Sequence, residues 1–186
     1  MSGGMDDLIR NILKDIRVEL SDEFDRNFSR EGFFGEKWAS RKRPDHRGGR
    51  GILTDSGALR RSIRSVMSGN GITFQSDLPY AAIHNEGGKI RVTARMKRFF
   101  WAKMRECEGS IGFTKRGVRR NTKRNRQLSA ESAFWKAMAL KPVGSFIVIP
   151  RRTFIGGGRD VERIVRDIID ENLEGFFKQI DLTKKQ

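Results

Sequence analysis

The chain has 186 residues, 37% of them hydrophobic, and a net charge of +15, which allows one domain with a modest core and leaves some of the length outside it. No run approaches the roughly 20 apolar residues of a membrane span, and the acidic start MSGGMDD lacks the apolar centre of an export signal. Cys107 is the only cysteine, which excludes an intrachain disulfide and a thiolate zinc cluster and fits a reducing, cytoplasmic setting.

Residues 5–28 predict an amphipathic helix. Met5, Leu8, Ile9, Ile12, Leu13, Ile16, Leu20, Phe24 and Phe28 recur at three and four residues and form one stripe. Residues 29–51 read as irregular, broken by glycines and Pro44, with Phe33, Phe34 and Trp38 anchoring the loop and Arg41 through Arg50 exposed. Over 52–65, Thr54 or Ser56 can cap a helix that carries Leu59 and Ile63 on one face. Val66–Ser68 and Ile72–Ser76 predict a hairpin turning at Asn70-Gly71.

Pro79 opens a short turn or helix, PYAAIHNEGG, that Gly87 and Gly88 end, and Lys89–Thr93 alternates like an edge strand. Residues 94–106 are helical in pattern. Residues 108–129 are basic and poor in large apolar groups, which predicts a long flexible loop. Residues 130–139 predict a short helix, Phe146–Ile149 a short buried strand, and 160–180 a second amphipathic helix carrying Val161, Ile164, Val165, Ile168, Ile169, Leu173, Phe176 and Phe177. The order fits an α+β fold, a small mostly antiparallel sheet packed by N- and C-terminal helices. We read residues 1–186 as one domain, with 94–140 a basic insertion in which 107–130 is flexible.

The charge is uneven. Residues 1–28 carry 4 basic and 7 acidic groups, residues 160–186 carry 5 and 7, and residues 89–126 carry 14 and 2, a net +12. Arg91, Arg95, Lys97, Arg98, Lys115, Arg116, Arg119, Arg120, Lys123, Arg124 and Arg126 are therefore candidate contacts to DNA or to an acidic protein surface, or else form a solvated loop. Phe99, Phe100 and Trp101 among cations suit a helix anchored to a protein partner, with base stacking as the alternative.

Three short blocks stand in a characteristic order: Ile52-Leu53-Thr54-Asp55-Ser56-Gly57-Ala58-Leu59-Arg60-Arg61-Ser62-Ile63, then Tyr80-Ala81-Ala82-Ile83-His84-Asn85-Glu86-Gly87-Gly88, then Ile149-Pro150-Arg151-Arg152-Thr153-Phe154-Ile155-Gly156. With Trp38 upstream and an amphipathic helix after the last block, the sequence resembles the phage virion morphogenesis family, which includes Mu-like tail-completion proteins, in the broader group of head–tail joining and tail-terminator proteins. The resemblance implies a virion component that acts late in assembly where the tail meets the head. It also implies a homo-oligomeric ring, often hexameric, with tail or neck proteins as partners; basic segments from several copies lining one lumen would present a positive channel to DNA passing through. The family-motif residues it singles out are Trp38, Leu53, Gly57, Leu59, Tyr80, His84, Gly87, Pro150, Arg152 and Phe154.

Read from the residues themselves, Gly57 permits a tight turn into a helix, Gly87 and Gly88 end a turn, and Phe154 re-enters the core. Pro150 stops strand pairing and exposes Arg151 and Arg152 as a subunit or partner contact. His84 has no nucleophile or carboxylate pair beside it, so we read it as hydrogen-bonding a turn. Asn85-Glu86 offers too few ligands for a metal, and Gly156-Gly157-Gly158 lacks the lysine-serine end of a phosphate loop. Neither enzyme chemistry nor a cofactor is expected. A nuclease would need an acidic metal cluster. The competing function is a nucleic-acid-binding module using residues 89–126.

Overall fold

A computed structural model describes residues 2–42 and 51–183. His46 and the basic stretch from Arg43 to Arg50 lie outside the described residues. The fold is α+β.

Helix α1 (Ser2–Arg30) follows the predicted stripe: Leu8, Ile16, Leu20, Phe24 and Phe28 are buried along it. It ends where Glu31 takes a positive φ of 52°, and a small hairpin follows, β1 (Gly32–Phe33) and β2 (Glu36–Lys37). Phe34 and Gly35 turn it with φ of 44° and 95°, the positive pair that a tight two-residue turn demands.

Within the first block the chain is helical only over α2 (Ala58–Arg61). Ile63, predicted on that helix, instead starts β3 (Ile63–Ser68), which pairs antiparallel with β4 (Gly71–Ser76). The hairpin turns at Gly69-Asn70, one residue before the predicted pair, because Gly69 supplies the positive φ, 55°. Ile72 and Phe74 face α1, and Phe74 meets Phe24 edge-on at 4.9 Å.

Helix α3 (Ala81–Glu86) leads to β5 (Gly88–Arg91), which pairs antiparallel with β6 (Phe146–Ile149). The predicted single sheet is thus three separate two-stranded ladders. The prediction of a buried strand at 146–149 fails on one face: Phe146 and Val148 are exposed, while Ile147 packs inward.

Between β5 and β6 stand helices α4 (Ala94–Gly109) and α5 (Lys123–Leu140), packed on each other. Helix α5 starts seven residues before the predicted 130, so the long loop expected over 108–129 is confined to 110–122. Phe100, Met104, Cys107, Leu128, Trp135 and Ala139 fill a core of their own.

Helix α6 (Arg159–Thr183) runs antiparallel to α1: Gly4 lies against Phe176, and Asn172 donates to Asp15 at 3.0 Å. Val161, Ile164, Val165, Ile168 and Ile169 of α6 are only half-buried against α1. The stripes are also uncovered toward the far end of the pair, where Met5 and Phe177 are exposed.

Candidate functional site: a joint of three sequence blocks and a basic hairpin

Two places hold the residues that the sequence singles out. In the first, all three blocks and Trp38 converge. Phe28, Trp38, Leu59, Ala81 and Phe154 form one buried cluster, with Phe154 fully inaccessible. The Phe28 ring meets Trp38 edge-on at 5.6 Å and Phe154 at 5.4 Å.

Polar groups lock this cluster to the backbone. The Trp38 indole N–H donates to the Thr153 carbonyl at 2.7 Å, and Asn27 Nδ2 donates to the Phe154 carbonyl at 3.2 Å. Asn85 Oδ1 accepts from the Phe154 and Ile155 amides at 2.9 and 3.2 Å. The Arg152 amide donates to the His84 carbonyl at 2.8 Å. Five backbone groups of the irregular run 151–155 therefore find partners from distant segments, which holds it in place without a sheet.

Arg152 is not exposed as predicted. It is buried, and its guanidinium donates to the Ala39 and Ser40 carbonyls at 2.9 and 3.2 Å. Burial, and next the neighbouring charge of Arg41, pull its pKa down from the ordinary arginine range. Arg151 alone of the pair faces solvent, donating to Thr153 Oγ1 at 2.9 Å. Pro150 closes β6.

Gly57 precedes α2 with φ 69°, as a tight turn requires, and Ser56 Oγ accepts from the Ala58 amide at 3.2 Å. Gly87 is demanded twice: φ is 74°, and a Cβ there would lie 2.8 Å from the Arg151 amide nitrogen. Leu53 adopts φ 61°, a conformation bulky residues rarely take. A shallow cleft of about 390 Å³ lies over the joint, lined by Leu53, Leu59, Tyr80, His84, Arg41 and Arg152 among others.

His84 sits on this cleft edge-on to Tyr80 at 6.1 Å. Its Nδ1 is buried without a hydrogen-bond partner among the described residues, and it is the His84 backbone carbonyl that bonds the neighbouring segment, at the Arg152 amide. Burial, then the positive charge of Arg152, hold its pKa below the ordinary value of 6.5. The fold therefore favours neutral imidazole. The stability this confers is present above the unfolded pKa and is lost as pH falls through the lowered folded value. Thermal unfolding should accordingly shift to lower temperature between about pH 7 and about pH 5, before carboxylates titrate, and shift less in His84→Gln. Parallel pH profiles for the two proteins would remove His84 as the cause.

The second place is the α4–α5 hairpin. Thr93 Oγ1 caps α4 by accepting from the Met96 amide at 3.2 Å, and Thr122 Oγ1 caps α5 through the Asn125 amide at 3.1 Å. Asn125 is buried and organises the tip. Its Oδ1 accepts from the Gly112 amide at 3.0 Å, and its Nδ2 donates to the carbonyls of Gly112 and Arg120 at 2.8 and 2.7 Å.

The candidate cations are spread over the hairpin and its root. Arg91 is exposed on β5; Arg95, Lys97 and Arg98 ride the first turns of α4; Lys115, Arg116, Arg119 and Arg120 occupy the tip loop; Lys123, Arg124 and Arg126 open α5. The aromatic run does not form a platform. Phe100 is buried and stacks on Trp135 at 5.8 Å, Trp101 packs against the hairpin core, and only Phe99 is exposed.

Sequence reasoning missed Asn27, Asn85 as a backbone clamp, and Asn125. Asn27 had a visible signal: it falls between Phe24 and Phe28 on an apolar face. Asn85 was weighed only as a metal ligand. Among the described residues, no three His, Cys, Asp or Glu side chains gather to hold a metal, and no helix is long and apolar enough to cross a membrane.

The chain matches the phage virion morphogenesis family over residues 5–174. No curated protein and no solved structure matches it.

Proposed function

Because the chain belongs to the phage virion morphogenesis family, which gives it a structural or morphogenetic role in the phage particle, we propose that it completes the tail or joins it to the head. It does so as a homo-oligomeric ring at the head-proximal end of the tail, possessing no catalytic role and contacting other tail or neck proteins. Its place is the virion, reached through the host cytoplasm during assembly.

The observation that carries this reading is the incompleteness of the surface around a rigid joint. Among the described residues every ladder has only two strands, so each strand has one edge without a strand partner. Leu140, Val143, Phe146 and Val148 are all exposed around β6. Two-stranded ladders are marginal alone and gain from added strands or packed helices. A heterologous contact that closes by rotation would complete such edges in every copy and produce a ring.

Electron microscopy of particles made without this protein tests the role. Full heads beside unjoined tails are expected, and complementation with the intact chain should restore joined particles. Joined, infectious particles formed in its absence would refute the proposal. The competing reading, a nucleic-acid-binding module outside the virion, predicts instead a monomer or dimer absent from purified particles.

A further inference from the structure

We propose that the tip of the α4–α5 hairpin is a built contact surface for the phosphodiester backbone of a nucleic-acid duplex. This deepens the joining role by naming what the hairpin touches, and it rests on that role only for where the duplex comes from.

The argument starts from charge that the protein leaves unanswered. From residue 109 to residue 130 the sequence has no acidic group. Lys115, Arg116, Arg120, Lys123 and Arg124 are exposed, and their side chains make no ion pair or hydrogen bond among the described residues. On α1 and α6, by contrast, several cations are answered locally: Arg10 with Asp7, Arg30 with Glu23, Arg163 with Asp160 and Lys178 with Glu174. Five uncompensated cations on one tip repel each other, and a dense anionic partner relieves that repulsion.

The tip is also shaped. The Thr114 amide donates to the Val118 carbonyl at 2.7 Å, and the Gly117 amide donates back to the Thr114 carbonyl at 2.9 Å. Gly117 takes φ 76°, so Lys115 and Arg116 stand at the apex of a closed turn. Asn125 ties the loop to the start of α5, as described above, which joins the apex pair to Lys123 and Arg124. Arg119 and Arg126 serve the scaffold instead. Arg119 donates to the Asn125 carbonyl at 3.0 Å and to Ser129 Oγ, and Arg126 donates to Asn121 Oδ1 at 2.7 Å. Two arginines thus hold the loop while five cations remain for a ligand.

A phosphate backbone fits this surface better than an acidic protein does. Protein interface cores are depleted of charge, whereas nucleic-acid interfaces are much more positive and polar. Phe113 is the single exposed aromatic of the tip loop, and Phe100 and Trp101 are spent on the hairpin core, so no row of rings is available to stack on successive bases. The contact is therefore electrostatic and independent of base sequence.

The test is binding of the full chain to 20-base-pair DNA duplexes of two unrelated sequences over rising salt. With about five phosphates neutralised, log Kd against log salt should have a slope of about 4.5, a loss of about 500-fold between roughly 50 and 200 mM. Changing Lys115, Arg116, Arg120, Lys123 and Arg124 together to alanine should flatten that slope, with helix content and thermal unfolding unchanged because Asn125, Thr122 and the hairpin core remain. Changing Arg95, Lys97 and Arg98 to alanine should leave most of the slope in place. No binding at low salt, salt-independent binding, equal flattening by both variants, or tighter binding of polyglutamate than of duplex would each overturn the proposal. In phage, tip variants should still build joined particles, so failure of this contact and failure of the joining role are scored separately.

Discussion

Replacing Gly87 by alanine is expected to cost at least about 3 kcal/mol of folding stability, enough to deplete the soluble protein in cells. Gly87 combines φ 74° with ψ 177°, a region that is essentially glycine-only and costs other residues about 1–3 kcal/mol. The added methyl would also stand 2.8 Å from the Arg151 amide nitrogen and 3.1 Å from its Cα. Those are backbone atoms and cannot rotate aside. Moving them drags the Arg152 amide from the His84 carbonyl and disturbs the Arg152 bonds to Ala39 and Ser40. Gly157→Ala is the matched control, because nothing lies within 4 Å of its added Cβ, and its effect should stay within about 0.5 kcal/mol. Chemical denaturation of both variants decides the matter. Equal midpoints would mean that the turn at Gly87 is more plastic than its geometry implies.

Phe154→Ala should be comparably damaging for a different reason. The ring is fully inaccessible and packs on Phe28. Truncating a buried phenylalanine typically costs about 3–5 kcal/mol through lost transfer energy and the cavity left behind. Against a total of roughly 5–15 kcal/mol that is a large fraction, and it should lower the melting temperature by about 6–20 °C. The loss should be localised at the joint, because the α4–α5 core contains none of its residues. Hydrogen exchange would then show earlier loss of protection in residues 80–87 than in α5. Phe146→Ala, at an exposed position, should leave the monomer near wild-type stability. A small shift for Phe154→Ala would show that the three blocks are held by their polar clamps alone.

Much of the scaffold was legible because its signal is periodic. The stripes of α1 and α6 recur every three or four residues over five or more turns, and few other structures bury such a pattern. The tight turn at Gly57 was readable because glycine before a helix has a specific backbone use. What escaped was decided by single polar atoms at long range. Arg152 looks like a surface residue after a proline, yet two carbonyls more than a hundred positions earlier make its burial tolerable. The first turns of α5 carry no sequence signal, because Lys123-Arg124-Asn125-Arg126-Gln127 has no apolar pattern; Thr122 supplies the cap and Asn125 the inward anchor. The strand at 146–149 is a continuous apolar run, and such runs do not announce which face stays uncovered. The site residues divide along the same line. The three blocks pointed to the joint, whereas the role of the clamps that close it, Asn27 on the apolar face of α1 and Asn85 within the second block, depends on backbone partners far away in the sequence.

The ladder between β5 and β6 does not stop at Arg91 and Phe146. The Val92 amide donates to the Ser145 carbonyl at 2.8 Å, and the Gly144 amide donates to the Val92 carbonyl at 2.9 Å. The chain therefore departs at Thr93 and comes back at Gly144 side by side, with everything between them folded around a nucleus of its own. Such a graft point lets a whole appendage be lengthened, exchanged or trimmed to a tight loop while the joint beneath it keeps its register. A short loop joining Thr93 to Gly144 in place of the hairpin is therefore expected to leave the joint folded, which thermal unfolding of the shortened chain would check.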